Sequence, residues 1–207
     1  MNRRAMFPFA RAIALVLAPA LLAACSAQPA EEPPLAGAKI GGEFTLVDKT
    51  GKQVRWSQFD GSWRTIYFGY TFCPDACPMD MSVLMKGFRL FEQAHPDRAA
   101  KVQPLFVSID PARDGPQQVG EFAAAFHPRL IGLTGSTDAV RNAADAYRVY
   151  YKRVTTGSRP DDYTVDHSAF IYLMDRDGKY LTFFPPGTDA AKIVGMVRAY
   201  LRGGAER

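Results

Sequence analysis

The sequence predicts an α/β fold: a central mixed sheet flanked by helices, with an extra N-terminal hairpin. Three observations predict it. Short apolar runs of strand composition alternate with segments of helical periodicity between about residues 64 and 147. A strong hairpin signal, Asp175-Arg-Asp-Gly178, then lies between two further apolar runs. Finally, Cys73-Pro-Asp-Ala-Cys77-Pro78 sits where a strand-like run hands over to a helix, the usual place for chemistry in α/β sheets.

Taken in order, Phe44–Val47 and Gln53–Trp56 form a hairpin around the turn residues Asp48-Lys-Thr-Gly51. Arg64–Phe72 reads as a buried strand. A helix from about Pro78 to Ala94 follows, with proline suited to its first turn and Met81, Leu84, Met85 and Phe88 on one apolar face. Val102–Ile109 is a second central strand, interrupted early by Pro104. Gln117–Phe126 is helical, Leu130–Leu133 a short strand, and Thr137–Tyr147 a helix with Asp138 in its first turn. Ser168–Met174 and Lys179–Phe184 are the hairpin strands, and Asp189–Leu201 is the closing amphipathic helix. This order is that of a thioredoxin-like fold.

The chain of 207 residues divides into three parts. Residues 1–24 read as a signal peptide: Arg3, Arg4 and Arg11 precede the apolar run Ala12–Ala23, which is short for a bilayer span. Leu22-Ala-Ala-Cys25 resembles a bacterial lipobox, in which Cys25 is lipidated and becomes the mature N-terminus. Residues 25–38 are a polar, proline-rich tether, and residues 39–207 form one domain. The net charge of +4 is scattered among acids and partly held in the n-region, which excludes nucleic acid as a partner.

With Cys25 assigned to lipid, the remaining two of three cysteines form one pair. Residues four apart on a helix have Cα atoms ~6 Å apart, which permits a disulfide or joint ligation of one metal ion. A helix N-terminus also favours the thiolate. The pair therefore does thiol redox chemistry, soft-metal binding, or both. Of the histidines, His95 and His127 each precede a proline at a helix end and read as structural. His167 follows the polar run from Asp161 and opens the next strand, beside the cysteines in a thioredoxin-like fold. From spacing alone it is either a third ligand or a strand-initiating residue.

Cys73-Pro-Asp-Ala-Cys77-Pro78, Val107-Ser-Ile-Asp-Pro-Ala-Arg-Asp114 and Tyr163-Thr-Val-Asp-His-Ser168 together resemble the Sco/SenC family, over about Ile40–Leu201. These are thioredoxin-fold copper proteins that assist assembly of cytochrome c oxidase. The resemblance implies one copper held by Cys73, Cys77 and His167, with Cys73 and Cys77 forming a disulfide when oxidised. It also implies a cytochrome c oxidase subunit carrying the CuA site as partner, with other periplasmic copper chaperones possible. Many relatives keep a transmembrane helix where this chain has Leu22-Ala-Ala-Cys25.

Two thiolates satisfy Cu(I), and thiolate plus imidazole suits Cu(II). The residues alone admit zinc as well, and the resemblance selects copper. Asp166 either orients His167 and tunes its basicity or is a solvated loop acid, and Asp75 and Asp80 are expected to complement the helix dipole rather than to serve a metal. Asp110 and Arg113 are expected to pair and brace their loop. Two function classes stand: a copper chaperone anchored to the bacterial membrane with its domain in the periplasm, or a thiol–disulfide oxidoreductase that keeps the oxidase copper-site cysteines reduced. A copper or redox sensor is a third reading. A peroxiredoxin-like peroxidase is disfavoured, because Tyr70-Thr-Phe-Cys73 lacks that family's pocket threonine and proline.

Overall fold

The computed structural model describes residues 39–203. The expected signal peptide (residues 1–24), the expected lipobox with Cys25 and the expected tether (residues 25–38) all lie outside the described residues. No helix among the described residues is long and apolar enough to cross a membrane.

The elements run β1 (Thr45–Val47), β2 (Gln53–Arg55), a 3-10 turn (Trp56–Phe59), β3 (Trp63–Gly69), α1 (Ala76–Ala94), α2 (Pro96–Ala99), β4 (Val102–Ser108), α3 (Pro116–Phe126), β5 (Ile131–Leu133), α4 (Thr137–Ala146), β6 (Tyr151–Thr155), β7 (Tyr163–His167), β8 (Ile171–Met174), β9 (Tyr180–Phe184) and α5 (Ala190–Gly203). The central sheet has the order β5-β4-β3-β8-β9, parallel from β5 to β3 and antiparallel through β8 and β9. This is the predicted mixed sheet, and β1–β2 is the predicted N-terminal hairpin.

Strand β3 lies between two partners and is buried along its whole length. Its one charged residue, Arg64, has no exposed surface, so its guanidinium must find partners inside. It stacks 4.5 Å from the Trp56 ring, bonds Asp60 at 2.8 Å and donates to the Asp175 carbonyl at 3.2 Å. Gly178, in the β8–β9 turn with φ +78°, keeps this space open: a β-carbon there would stand 2.7 Å from Trp56 Nε1. The described chain begins at this end of the sheet. The Gly41 amide donates to the Ala146 carbonyl at 2.9 Å, and Gly41 also approaches the Gly178 carbonyl.

Pro104 does not interrupt β4, because β5 pairs only from Leu105 onward and the Gln103 side chain donates to the Pro104 carbonyl at 2.9 Å. Helix α1 buries Met81, Leu84, Met85 and Phe88 as expected, whereas Met79 is exposed. Gly87 admits α5 alongside it, with Ala190 and Val194 in contact. Behind the sheet, Tyr147 packs among Phe44, Trp56, Phe68 and Tyr172.

One element differs from expectation. Ser168–Met174 is not a single strand, and His167 closes β7 rather than opening β8. Residues 163–167 pair antiparallel with 151–155 in a separate hairpin, Tyr151 opposite His167. The mouth of that hairpin is fastened by Ser168, whose amide donates to the Tyr150 carbonyl at 2.9 Å and whose hydroxyl accepts from the Tyr150 amide at 3.2 Å. Those bonds consume the backbone groups that a longer β8 would need.

Candidate metal centre

Cys73 lies in the loop after β3, and Cys77 is the second residue of α1. The cysteines are thus not both helical. Cys73 stands just ahead of the helix, where its sulfur accepts the Cys77 amide at 3.4 Å and satisfies one of the free donors of the first turn. Asp75, at the N-cap, makes no side-chain cap bond and is exposed, so the sulfur does what a capping carboxylate would.

His167 arrives from β7. Its Nε2 stands 3.4 Å from Cys77 Sγ, and its Nδ1 lies 3.2 Å from the Ser168 carbonyl. The contact of Nδ1 with that carbonyl turns Nε2 toward the sulfurs, where it can donate to a thiolate or offer its lone pair to a metal, depending on the tautomer. The orienting role of Asp166 is therefore corrected. Neighbours on a strand face opposite sides, so Asp166 points to solvent, and the Ser168 carbonyl orients the ring. Tyr67 and Tyr70 present edges to the imidazole at 6.1 and 6.0 Å. The donor atoms of Cys73, Cys77 and His167 all lie within 4.8 Å of one another, so the three predicted ligands converge.

The two free thiols are not equivalent. Cys77 has no exposed surface, while Cys73 is partly exposed. The Cys77 thiol, the imidazole and backbone amides hold Cys73 far below the usual thiol range. Donation to that thiolate, together with burial, pushes Cys77 up. The proton of the pair therefore lies toward Cys77, and the accessible sulfur is the better nucleophile.

Other residues of the site carried weaker signals. Asp80 is not merely a helix-dipole acid: its Oδ2 accepts from the buried Tyr67 hydroxyl at 3.0 Å, and burial raises its carboxyl above the ordinary value. Gly69 ends β3 because a β-carbon there would stand 2.9 Å from Cys77 Sγ and 2.7 Å from Tyr67 Cε1. A glycine closing an otherwise bulky strand is the available sign of such a close approach. Tyr70 accepts the Val165 amide at 3.2 Å on its hydroxyl, tying the cysteine loop to β7. His127 is at a helix end as expected but is buried, 3.4 Å from Glu92.

The family model described as SCO1/SenC matches residues 32–202. The chain belongs to the SCO1/SenC family. Among SCO1/SenC relatives, it is 40% identical over 170 residues to "Protein SCO1 homolog 1, mitochondrial" of Arabidopsis thaliana, covering 81% of this chain and 49% of that protein. It is also 40% identical over 162 residues to "Protein SCO2 homolog, mitochondrial" of Mus musculus, covering 77% of this chain and 62% of that one. The chain thus spans about half to three fifths of the length of these relatives. The solved structure of Bradyrhizobium japonicum ScoI with copper bound superposes with a TM-score of 0.70 at 37% identity, over 78% of this chain and 99% of that one. The SCO1/SenC fold is thus the thioredoxin-like α/β fold predicted.

Proposed function

We propose that this chain binds one copper ion through Cys73, Cys77 and His167 and delivers it during assembly of the CuA centre of cytochrome c oxidase. One observation carries the reading: two sulfurs and an imidazole nitrogen converge within 4.8 Å at a site open through Cys73. Copper suits this donor set in both oxidation states, since thiolates hold Cu(I) and the imidazole adds a donor for Cu(II). The Bradyrhizobium japonicum relative, solved with copper bound, supports the choice of metal, and membership of the SCO1/SenC family supports the oxidase as recipient. We further propose that Cys25 carries a lipid that holds the domain on the periplasmic side of the bacterial membrane, with residues 25–38 as the tether.

The inequality of the thiols favours a second reading, a disulfide reductase acting on the oxidase cysteines. The Cys73 thiolate attacks a substrate disulfide and releases one substrate thiol. Cys77 then resolves the mixed disulfide, leaving the Cys73–Cys77 disulfide and a second free thiol. His167→Ala separates the two readings. It should weaken Cu(II) binding by about a hundredfold or more while leaving disulfide reduction within about threefold. In cells lacking the wild-type gene, this variant should fail to restore oxidase activity at limiting copper. Full restoration by His167→Ala, with failure of Cys73→Ser, would make reduction the essential task.

A further inference from the structure

The loop between β4 and α3, Ser108-Ile-Asp-Pro-Ala-Arg-Asp114, supplies no donor to the metal centre, yet it grips both segments that do. On the cysteine side, Asp114 is fully buried and its carboxylate accepts from the Thr71 amide at 2.8 Å, the Thr71 hydroxyl at 2.6 Å and the Ser108 hydroxyl at 2.6 Å. Thr71 is two residues before Cys73. On the histidine side, Arg113 Nη1 donates to the Tyr163 carbonyl at 3.0 Å, and the Tyr163 hydroxyl donates to Asp110 at 2.8 Å. Tyr163 begins the strand that His167 ends.

Arg113 spans the gap. Its Nε is fixed by Asp110 at 2.6 Å, the pairing expected from sequence, and its guanidinium lies 3.6 Å from the Tyr163 ring centre and 5.0 Å from that of Phe72, next to Cys73. The side chain is only 11% exposed. A planar guanidinium offers what no apolar residue can: a rigid plate with directed donors touching both ligand-bearing segments at once.

We propose that Arg113, seated by Asp110, is a positioning residue that sets the distance between His167 and the cysteine pair. It rests on the copper reading for its consequence, but not for its geometry. Loss of the Arg113–Tyr163 grip loosens the start of β7, leaving Tyr70 at Val165 as its tie to the cysteine loop, while the cysteines stay fastened by Asp114. The imidazole then drifts, and the oxidation state that depends on it suffers more.

The test compares full-length wild type with Arg113→Lys, which keeps the charge and loses the fork, and Tyr163→Phe, which removes only the hydroxyl facing Asp110. Without metal, amide exchange at Val165 and His167 should accelerate about tenfold in Arg113→Lys and by less in Tyr163→Phe, which keeps the ring and carbonyl that Arg113 holds, with Ile66 and Tyr67 in β3 unchanged. With copper, Cu(II) affinity in Arg113→Lys should fall about tenfold or more and Cu(I) affinity by less than about threefold. Uniform acceleration across the sheet, equal losses for the two oxidation states, or no change in either would overturn the proposal. If the wild type binds no copper at all, the copper reading fails and the exchange measurement alone decides the role of Arg113.

Discussion

Adding one methyl group at Gly69 tests how tightly the metal centre is built into the sheet. An alanine β-carbon would stand 2.9 Å from Cys77 Sγ, 2.7 Å from Tyr67 Cε1 and 3.2 Å from Phe106 Cε2. Unbonded heavy atoms rest at about 3.5–4.0 Å, so the sulfur must retreat by roughly 0.6–1 Å or the strand must bend. Overpacking of this kind costs about 1–3 kcal/mol, and the stiffer unfolded chain of alanine returns about 0.4–1 kcal/mol. The net loss of about 1–2 kcal/mol should lower the melting temperature by roughly 2–8 °C in a domain of this size. The effect on metal should be larger in proportion, because ligand distances are held to about 0.2 Å. Copper affinity in Gly69→Ala should therefore fall by at least about tenfold, or ~1.4 kcal/mol. The assay pairs thermal melting of the metal-free protein with competitive copper titration. Gly195→Ala on α5, where nothing lies within 4 Å, is the control and should melt slightly higher than wild type. Unchanged melting and copper affinity within about twofold in Gly69→Ala would refute the view that β3 sets the position of Cys77.

Three further outcomes follow. Iodoacetamide should alkylate Cys73 before Cys77, and the rate should drop by much less than about tenfold per pH unit between pH 8 and 6, since the depressed Cys73 pKa keeps it ionised there; peptide mapping that finds Cys77 modified first would contradict the assignment. Asp80 has a raised carboxyl pKa, so the folded state binds its proton more tightly than the unfolded chain and ionisation at neutral pH opposes folding. Asp80→Asn should accordingly melt higher than wild type at pH 7, with the difference shrinking as the pH falls below about 4, where Asp80 becomes protonated in the folded and the unfolded chain alike; a lower melting temperature at pH 7 would show that the Tyr67 bond needs the charge. Mass spectrometry of the mature N-terminus should find an acylated Cys25, and an intact Met1 or cleavage elsewhere would remove the lipid anchor.

The sequence was most legible where a single residue pattern had a single physical meaning. The long apolar runs at β3 and β4 and the Asp-Gly turn before β9 came out at nearly the right limits, because burial on both faces and turn chemistry are local properties. The β6–β7 hairpin was missed although Tyr163-Thr-Val-Asp-His167 alternates buried and outward positions. Its partner Tyr151-Lys-Arg-Val-Thr155 is largely exposed, so no apolar period announces it. That omission displaced His167 from the end of one strand to the start of another. The ligands themselves were legible through residue type and resemblance. What sequence did not disclose was contact between distant segments: Asp114 with Thr71, Tyr70 with Val165, and Gly69 with Cys77. Each of these depends on how strands are ordered in space rather than on spacing along the chain.

The position of Gly41 has a practical consequence. Gly41 sits beside the β8–β9 turn and thus near Arg64 at the start of β3, whereas Cys73 follows the end of that strand. Seven strand residues, about 23 Å, separate the two ends. A label carried by the exposed Lys39 therefore sits at the foot of the sheet and leaves the sulfurs at the other end unobstructed.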